Sequence, residues 1–325
     1  MIDIGIVGGT GYAAGELLRI LLNHPQTTVR FVYSTSKAGE PIASVHQDLA
    51  GETEMVFSHE PDPDIDLLFL CMGHGHSESF LQSHPTGDNT RIIDLSRDFR
   101  LAPHQTYGER SFVYGFPELQ EEAIKDAENI ANPGCYATAI QLALLPLAQN
   151  GDLQSDVHIH GITGSTGAGG SLSATSHFSW RDNNISIYKP LRHQHVGEVR
   201  QKLQQAAPAF DEDLNFIPVR GNFTRGIFIS AYTKCALSEA KAQALFQRFY
   251  QDSSFVHVSE SPLHLKQVVN TNKGLLHVQK EGDKLLVTSI IDNLLKGASG
   301  QAVENMNLMY GFDQKTGLRL KSSAF

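Results

Sequence analysis

Ile2-Asp3-Ile4-Gly5-Ile6-Val7-Gly8-Gly9-Thr10-Gly11-Tyr12-Ala13-Ala14-Gly15 opens the chain and decides its fold. Ile2 to Val7 is a short β-branched run, which predicts a buried strand. Glycines follow at once, and then Leu17, Leu18, Leu21 and Leu22 recur at helical spacing. Strand, glycine turn and helix in that order are what a dinucleotide-binding turn requires. Glycine lets the backbone approach a pyrophosphate, which rests on the helix N-terminus. The spacing is G-x-x-G-x-x-A from Gly8 to Ala14.

The next strand, Val29 to Tyr33, carries the cofactor choice. An acid at the end of this strand holds the ribose 2′-hydroxyl of NAD. Here Ser34-Thr35-Ser36-Lys37 follow, with no acid before Glu40. Hydroxyls and a cation suit a 2′-phosphate, so the cofactor expected is NADP. Asp66 to Cys71 is a continuous apolar run, typical of a buried parallel strand, and ends in Gly73-His74-Gly75-His76. Arg91 to Leu95 reads as a further strand. Alternation of strands and helices through residue 131 predicts a doubly wound parallel domain.

Asn132-Pro133-Gly134-Cys135-Tyr136-Ala137-Thr138-Ala139 is the chemical centre of the sequence. Asn132 suits an N-cap and Pro133 a first helical turn. Ala139, Ile140, Ala143, Leu144 and Leu147 then mark a helix with one buried face. Cys135 falls in its first turn, where the dipole favours a thiolate. A free cysteine also serves as a small buried hydrophobe, and position alone leaves both readings open. Cys71 and Cys235 lie in strand patterns and read as structural.

After residue 150 strands dominate. Val157 to Thr163 alternates and ends in Gly164-Ser165-Thr166-Gly167-Ala168-Gly169-Gly170. Phe216 to Val219, Gly226 to Cys235, Gln267 to Asn270, Leu275 to Gln279 and Lys284 to Ile291 all read as strands. Helices are predicted near 195–206 and 239–251. This is an α+β domain with a mixed, mostly antiparallel sheet. A final helix, Gly300 to Tyr310, can return to the first domain. The expected division is 1–131 with 297–325 as the Rossmann domain, and 132–296 as the catalytic and oligomerisation domain.

Arg192-His193-Gln194-His195-Val196-Gly197-Glu198 supplies the acid–base candidates, since histidine titrates near neutrality. A helix starting at His195 would put Glu198 one turn later, able to hold its ring. Three His-x-His pairs occur, but none has a cysteine or acid cluster beside it, so no metal is expected.

With 325 residues and a formal net charge of −9, the chain is long enough for two cores and poorly suited to nucleic acid or anionic membranes. Three widely spaced cysteines make no disulfide framework, and no stretch reads as a signal or a membrane span. A cytoplasmic location is expected.

Read together, these stretches match a family. The chain resembles the N-acetyl-γ-glutamyl-phosphate reductases of arginine biosynthesis, within the wider aspartate-semialdehyde-dehydrogenase-like group. The match rests on Gly8 to Tyr12, His74-Gly75, Asp94 to Arg100, Tyr114 to Glu118, Asn132 to Tyr136, His193 to Glu198 and Gly300 to Met309. It departs at Arg97 and Gly170, and at Asn222 to Ile227, which only partly matches the family's P-x-x-R-G-I.

The resemblance implies an enzyme that uses NADPH to reduce N-acetyl-γ-glutamyl phosphate to the semialdehyde, with phosphate release, through a thioester on Cys135. His195, held by Glu198, would act on the oxygen, with His193 the other candidate. Cofactor contacts would come from Gly8, Thr10, Gly11, Tyr12, Ala13, Ser34, Ser36, Lys37, Gly73, His74, Gly167 and Asn305. Substrate contacts would come from Arg100, Arg110, Asn132, His193 and Arg225, with the phosphate-binding arginine left open. The acyl group is left open too: N-succinyl-glutamyl, aminoadipyl or aspartyl phosphate would use the same chemistry. The partner is a small acyl phosphate, and the assembly expected is a homodimer or homotetramer. A sensor that binds NADP without turnover has no need of the cysteine turn.

Overall fold

The first strand, β1 (Ile2–Val7), runs into the glycine turn and then α1 (Tyr12–Leu21) in a structure, a computed structural model, that describes residues 1–323. The chain continues through β2 (Thr27–Tyr33), β3 (Leu67–Leu70), α2 (Ser77–Ser83) and β4 (Arg91–Asp94). A small hairpin of β5 (Thr106–Tyr107) and β6 (Arg110–Ser111) precedes β7 (Val113–Tyr114), α3 (Pro117–Lys125) and β8 (Asn129–Ala131). Six strands form one sheet in the order β2-β1-β3-β4-β8-β7, every pairing parallel. The order turns outward from β1 in both directions, so β1 and β3 flank the switch point where such sheets bind ligands.

Next comes α4 (Cys135–Gln149), buried from Tyr136 to Ala148. One buried face was expected of this helix, but it is enclosed on all sides. Its sequence is apolar nearly all round, and such a helix belongs in a core. The helix also starts later than the sequence suggests. Gly134 is its N-cap, in extended conformation, and no side chain caps it.

The chain then forms β9 (Val157–Thr163), a short helix α5 (Phe178–Arg181), β10 (Ser186–Ile187), α6 (His195–Ala206), β11 (Leu214–Arg220), β12 (Ile227–Lys234) and α7 (Glu239–Phe249). Then follow β13 (Val256–Ser259), β14 (Gly274–Glu281) and β15 (Lys284–Ile291). Seven strands form a mixed sheet in the order β10-β11-β9-β12-β15-β14-β13. Only β11–β9 and β13–β14 pair in parallel. α4 packs on α6 and against β12, β14 and β15.

Residues 267–270 are not the strand the sequence suggests. Leu265–Gln267 is a 3-10 turn, and Asn270 sits at φ 67. This turn delivers the Asn270 N–H to Asp292 Oδ2 at 2.7 Å, which a strand would not.

A π-helical turn, Leu295–Ser299, leads into α8 (Gly300–Met309), which packs on α1 and α3. The chain divides into two compact units, Met1–Pro133 with Ala298–Arg319, and Gly134–Gly297 with the tail from Leu320. The last two residues of the range 297–325, Ala324 and Phe325, lie outside the described residues. Among the described residues no helix is long and apolar enough to cross a membrane.

Candidate active site

In the second unit Cys135 is the first residue of α4 and His195 the first of α6. Glu198 joins the two helix starts. Its Oε2 accepts the Gly134 N–H at 2.9 Å, and its Oε1 lies 4.0 Å from His195 Nε2. Both side chains are buried, so the carboxylate faces the ring at ion-pair rather than hydrogen-bond distance in a low-dielectric interior.

His193 packs edge-on against Tyr136, Tyr188 and Phe216, and against His195 at a centroid distance of 4.7 Å. Its Nδ1 accepts the His195 N–H at 3.3 Å. Burial, and then the charge of Lys189, lower His193 to about 4, against a smaller opposing pull from Glu198. His193 is therefore neutral near pH 7. Tyr136 donates its hydroxyl to the Gly161 carbonyl at 2.8 Å and is hydrogen-bonded to Tyr188. Burial pushes Tyr188 up to about 12, and a Cys135 thiolate would push the same way.

Gly297 closes on Cys135. A Cβ built there would stand 2.8 Å from Cys135 Cβ and 3.2 Å from the Asp292 carbonyl. Asp292 is wholly buried and takes both Nε and Nη2 of Arg225 at 3.0 and 3.1 Å. The Arg225 charge is thus already matched. Gly167 lies in a 3-10 turn, Ser165–Ala168, of this unit, where Thr166 Oγ1 receives Asn293 Nδ2 at 3.0 Å.

The remaining predicted residues belong to the first unit. Asn132 does not cap α4. Its Nδ2 donates to the Ala298 carbonyl at 3.1 Å, and its Oδ1 accepts from Asn305 Nδ2 at 3.1 Å. Asn305 is wholly buried and also donates to the Gly115 carbonyl at 3.0 Å, while its Oδ1 has no partner among the described residues. Arg100 is buried, with Nε on the Asn132 carbonyl at 2.7 Å and Nη2 on the Leu95 carbonyl.

The Arg110 guanidinium donates to Thr90 O, Asn129 Oδ1, Thr86 Oγ1 and Gly87 O. Thr90 and Asn129 sit where β4 and β8 begin, the opposite end of the sheet from the carboxyl termini that hold ligands. Its four bonds hold Arg110 at that end of the sheet.

The residues of the glycine turn fit a dinucleotide. Gly8 has φ 79, and a Cβ there would meet the Cys71 backbone at 2.8 Å. The N-terminus of α1 has no side-chain cap, so its first N–H groups stay open for a pyrophosphate between Thr10 and Ala13. Ser34 and Ser36 stand with hydroxyls 3.4 Å apart, and Lys37 Nζ lies 3.1 Å from both Glu40 oxygens. The nearest acid is thus spent on the lysine, which leaves a donor set for a phosphate. His74 Nδ1 accepts the Arg97 N–H, next to Gly73, while Asp98 accepts the N–H groups of Gly75 and Ser77.

Two models of the semialdehyde dehydrogenases match the chain: the NAD binding domain over residues 3–127 and the dimerisation domain over 135–293. The chain belongs to the semialdehyde dehydrogenase family. Within the family it is 55% identical over 325 residues, all of both chains, to a protein of Christiangramia forsetii named N-acetyl-gamma-glutamyl-phosphate reductase. Proteins of the same name from Flavobacterium johnsoniae and Bacteroides fragilis are 53% and 52% identical, again over their full length. Among solved structures, aspartate semialdehyde dehydrogenase II of Vibrio cholerae complexed with ASA shares the fold, with a TM-score of 0.70, 14% identity, and coverage of 96% of this chain and 98% of that one. The Candida albicans enzyme with NADP gives 0.69 at 11% identity, covering 95% and 98%.

Sequence reasoning missed several parts of this semialdehyde dehydrogenase site. His46 is buried, reaches the Gly9 carbonyl with Nε2 at 2.7 Å, and so braces the glycine turn. Nothing in its neighbourhood signals this. Asp292 directly follows an apolar strand, which was a legible signal. The packing of Gly297 on Cys135 was not legible, because it depends on a π-helical turn.

Proposed function

We propose that the chain is an NADPH-dependent N-acetyl-γ-glutamyl-phosphate reductase of arginine biosynthesis, with Cys135 as nucleophile. The observation that carries this reading is the Glu198 carboxylate, shared between the N-cap of the cysteine helix and the ring of His195. A structural cysteine has no use for a buried acid and histidine so placed.

The Cys135 sulfur attacks the acyl carbon, the bond to the phosphate oxygen breaks, and phosphate leaves with that electron pair. The product is a thioester. Bound NADPH supplies the hydride that reduces the thioester carbon. His195 holds a proton at that carbon's oxygen and takes it back as the C–S bond breaks and the aldehyde forms. Glu198 orients the ring throughout, and neutral His193 packs behind it. The uncapped start of α4 offers N–H groups and a positive dipole end to developing negative charge.

For the cofactor, Gly8, Thr10, Gly11, Tyr12 and Ala13 would hold the pyrophosphate, and Ser34, Ser36 and Lys37 the 2′-phosphate. Gly73, His74, Gly167 and Asn305 complete the set. Asn132 and Arg100 position the chain that enters the cysteine turn, while Arg225 is held by Asp292. The chain acts in the cytoplasm as a homodimer or homotetramer, joined through the sheet face that carries His158, His160 and Tyr232.

The test is the reverse reaction. The protein is mixed with N-acetyl-glutamate semialdehyde, NADP and phosphate, with Cys135→Ala alongside. Phosphate-dependent NADPH formation, lost in the variant, is the expected result. Turnover with the N-succinyl substrate alone would keep the mechanism and change the acyl group. Silence with every acyl-glutamate semialdehyde would overturn the reading.

A further inference from the structure

Two arginines of the second unit have donors that nothing among the described residues uses. Arg181 ends α5, and Arg220 ends β11. Arg181 Nη2 donates to the carbonyls of Asn184 and Arg220, the latter at 3.4 Å, and Arg220 Nη1 reaches Thr175 Oγ1 at 3.4 Å. Arg181 Nε, Arg181 Nη1 and Arg220 Nε are buried and meet no acceptor among the described residues. Neither guanidinium pairs with a carboxylate among those residues, although each other's charge is close enough to matter. Burial, and then the Arg220 charge, hold Arg181 below its usual value. Leaving buried charged donors unmet is costly, and two like charges side by side add to that cost. An oxyanion would satisfy both, since the guanidinium fork matches a carboxylate or phosphate in paired bonds.

Their place in the unit says which anion. The Arg220 guanidinium lies 5.0 Å over the Tyr188 ring. Tyr188 is bonded to Tyr136 and packs edge-on against His193 at 5.7 Å, and His193 touches His195. The arginines are thus separated from the acid–base histidine by a layer of rings. The substrate's phosphate is on the reacting carbon, at the sulfur. Its carboxylate is at the other end of the molecule, the end that would reach past those rings. The three arginines first expected to touch the substrate are engaged elsewhere: Arg225 with Asp292, and Arg100 and Arg110 with carbonyls.

We propose that Arg181 and Arg220 form the subsite for the carboxylate at the amino-acid end of the substrate. This rests on reading the site as one for an acyl-glutamyl phosphate.

Trp180, the only tryptophan, reports on it directly, because the Arg181 guanidinium lies 5.3 Å over its ring. Trp180 emission is followed while the whole protein is titrated with N-acetyl-glutamate and, separately, with inorganic phosphate. The expected result is a saturable response to N-acetyl-glutamate, shifted about 10- to 100-fold to higher concentration in Arg181→Gln and Arg220→Gln, the loss expected for one charge-assisted contact. Arg220→Lys, which keeps the charge without the fork and guards against a misfolded variant, should fall between. In the reverse reaction the KM for the semialdehyde rises by a similar factor, with kcat and the KM for phosphate kept.

A response to phosphate alone, or a rise in the KM for phosphate, overturns the assignment. So does a loss of oligomer mass in light scattering with unchanged kinetic constants, since the arginines would then await an acid of a second copy. The emission titration needs no turnover. A protein inactive on every acyl-glutamate semialdehyde that still answers N-acetyl-glutamate would lose the reductase reading and keep the subsite.

Discussion

Gly134 donates its backbone N–H to Glu198 Oε2 at 2.9 Å, one residue before the nucleophile. This bond makes Glu198 a clamp on the cysteine turn as well as a holder of His195. The two duties separate on substitution. Glu198→Gln keeps an acceptor oxygen for Gly134 but loses the charge facing His195. It should lower kcat by about 10²-fold with little change in stability. Glu198→Ala should lower kcat as far and also cost about 1–3 kcal/mol in urea unfolding, because the buried N–H is left unmet. Equal stability of the two variants would remove the clamp from this account.

Gly297 leaves no room beside Cys135. The Cβ of Gly297→Ala would meet Cys135 Cβ at 2.8 Å, so one of the two backbones must move. A displacement of that size at a nucleophile costs about 10²-fold in rate. The variant should stay folded by circular dichroism, bind NADPH normally, and lose kcat. Wild-type turnover would show that the π-helical turn yields freely.

His193 makes stability depend on pH. The unfolded histidine takes its proton near pH 6.5, whereas the buried ring takes it only near 4. Between those values the unfolded state binds more protons, so stability is complete above the window and is lost as pH falls through it. The urea midpoint should drop across this window in the wild type and drop less in His193→Gln. Identical slopes would mean that other groups carry the acid sensitivity.

Lys37 and its serine neighbours are the groups proposed to meet the 2′-phosphate. Lys37→Leu should reduce kcat/KM for NADPH by about 10-fold, the worth of one charge-assisted bond, and leave that for NADH nearly unchanged. Parallel losses with both cofactors would place the 2′-phosphate elsewhere.

Much of the fold was legible because its signals are local. Ile2–Val7, Val157–Thr163, Lys284–Ile291 and His195–Ala206 begin and end where periodicity and turn residues place them. The parts that were not legible depend on distant partners. Residues 267–270 read as a strand by composition, but the buried Asp292 draws the Asn270 N–H into a turn. Val256–Ser259 alternates apolar and polar but is only four residues long, too short for periodicity to mark it, yet it pairs with β14. In the second unit, the sequence spacing that puts Glu198 one turn after His195 matches the start of α6 at His195, while the bond from Gly134 to Glu198 joins positions 64 apart and was not legible. The partners of Arg110 were not legible, because Thr86, Gly87, Thr90 and Asn129 lie 19 to 24 positions away. Arg181 and Arg220 are 39 positions apart, and no spacing rule joins them.

The burial of α4 has a mechanical consequence. A helix with one wet face can tilt or slide when a neighbour changes size, because water fills the gap. Here Tyr136 to Ala148 are enclosed, so the sulfur stands at the tip of a rod set in packed walls. At about 1.5 Å per residue, Leu144 is some 13 Å behind the sulfur. A methylene lost or gained there travels along the rod instead of dissipating into solvent. Core residues far along the helix thereby set where the Cys135 sulfur stands, and repacking them would displace it before it unfolds the chain.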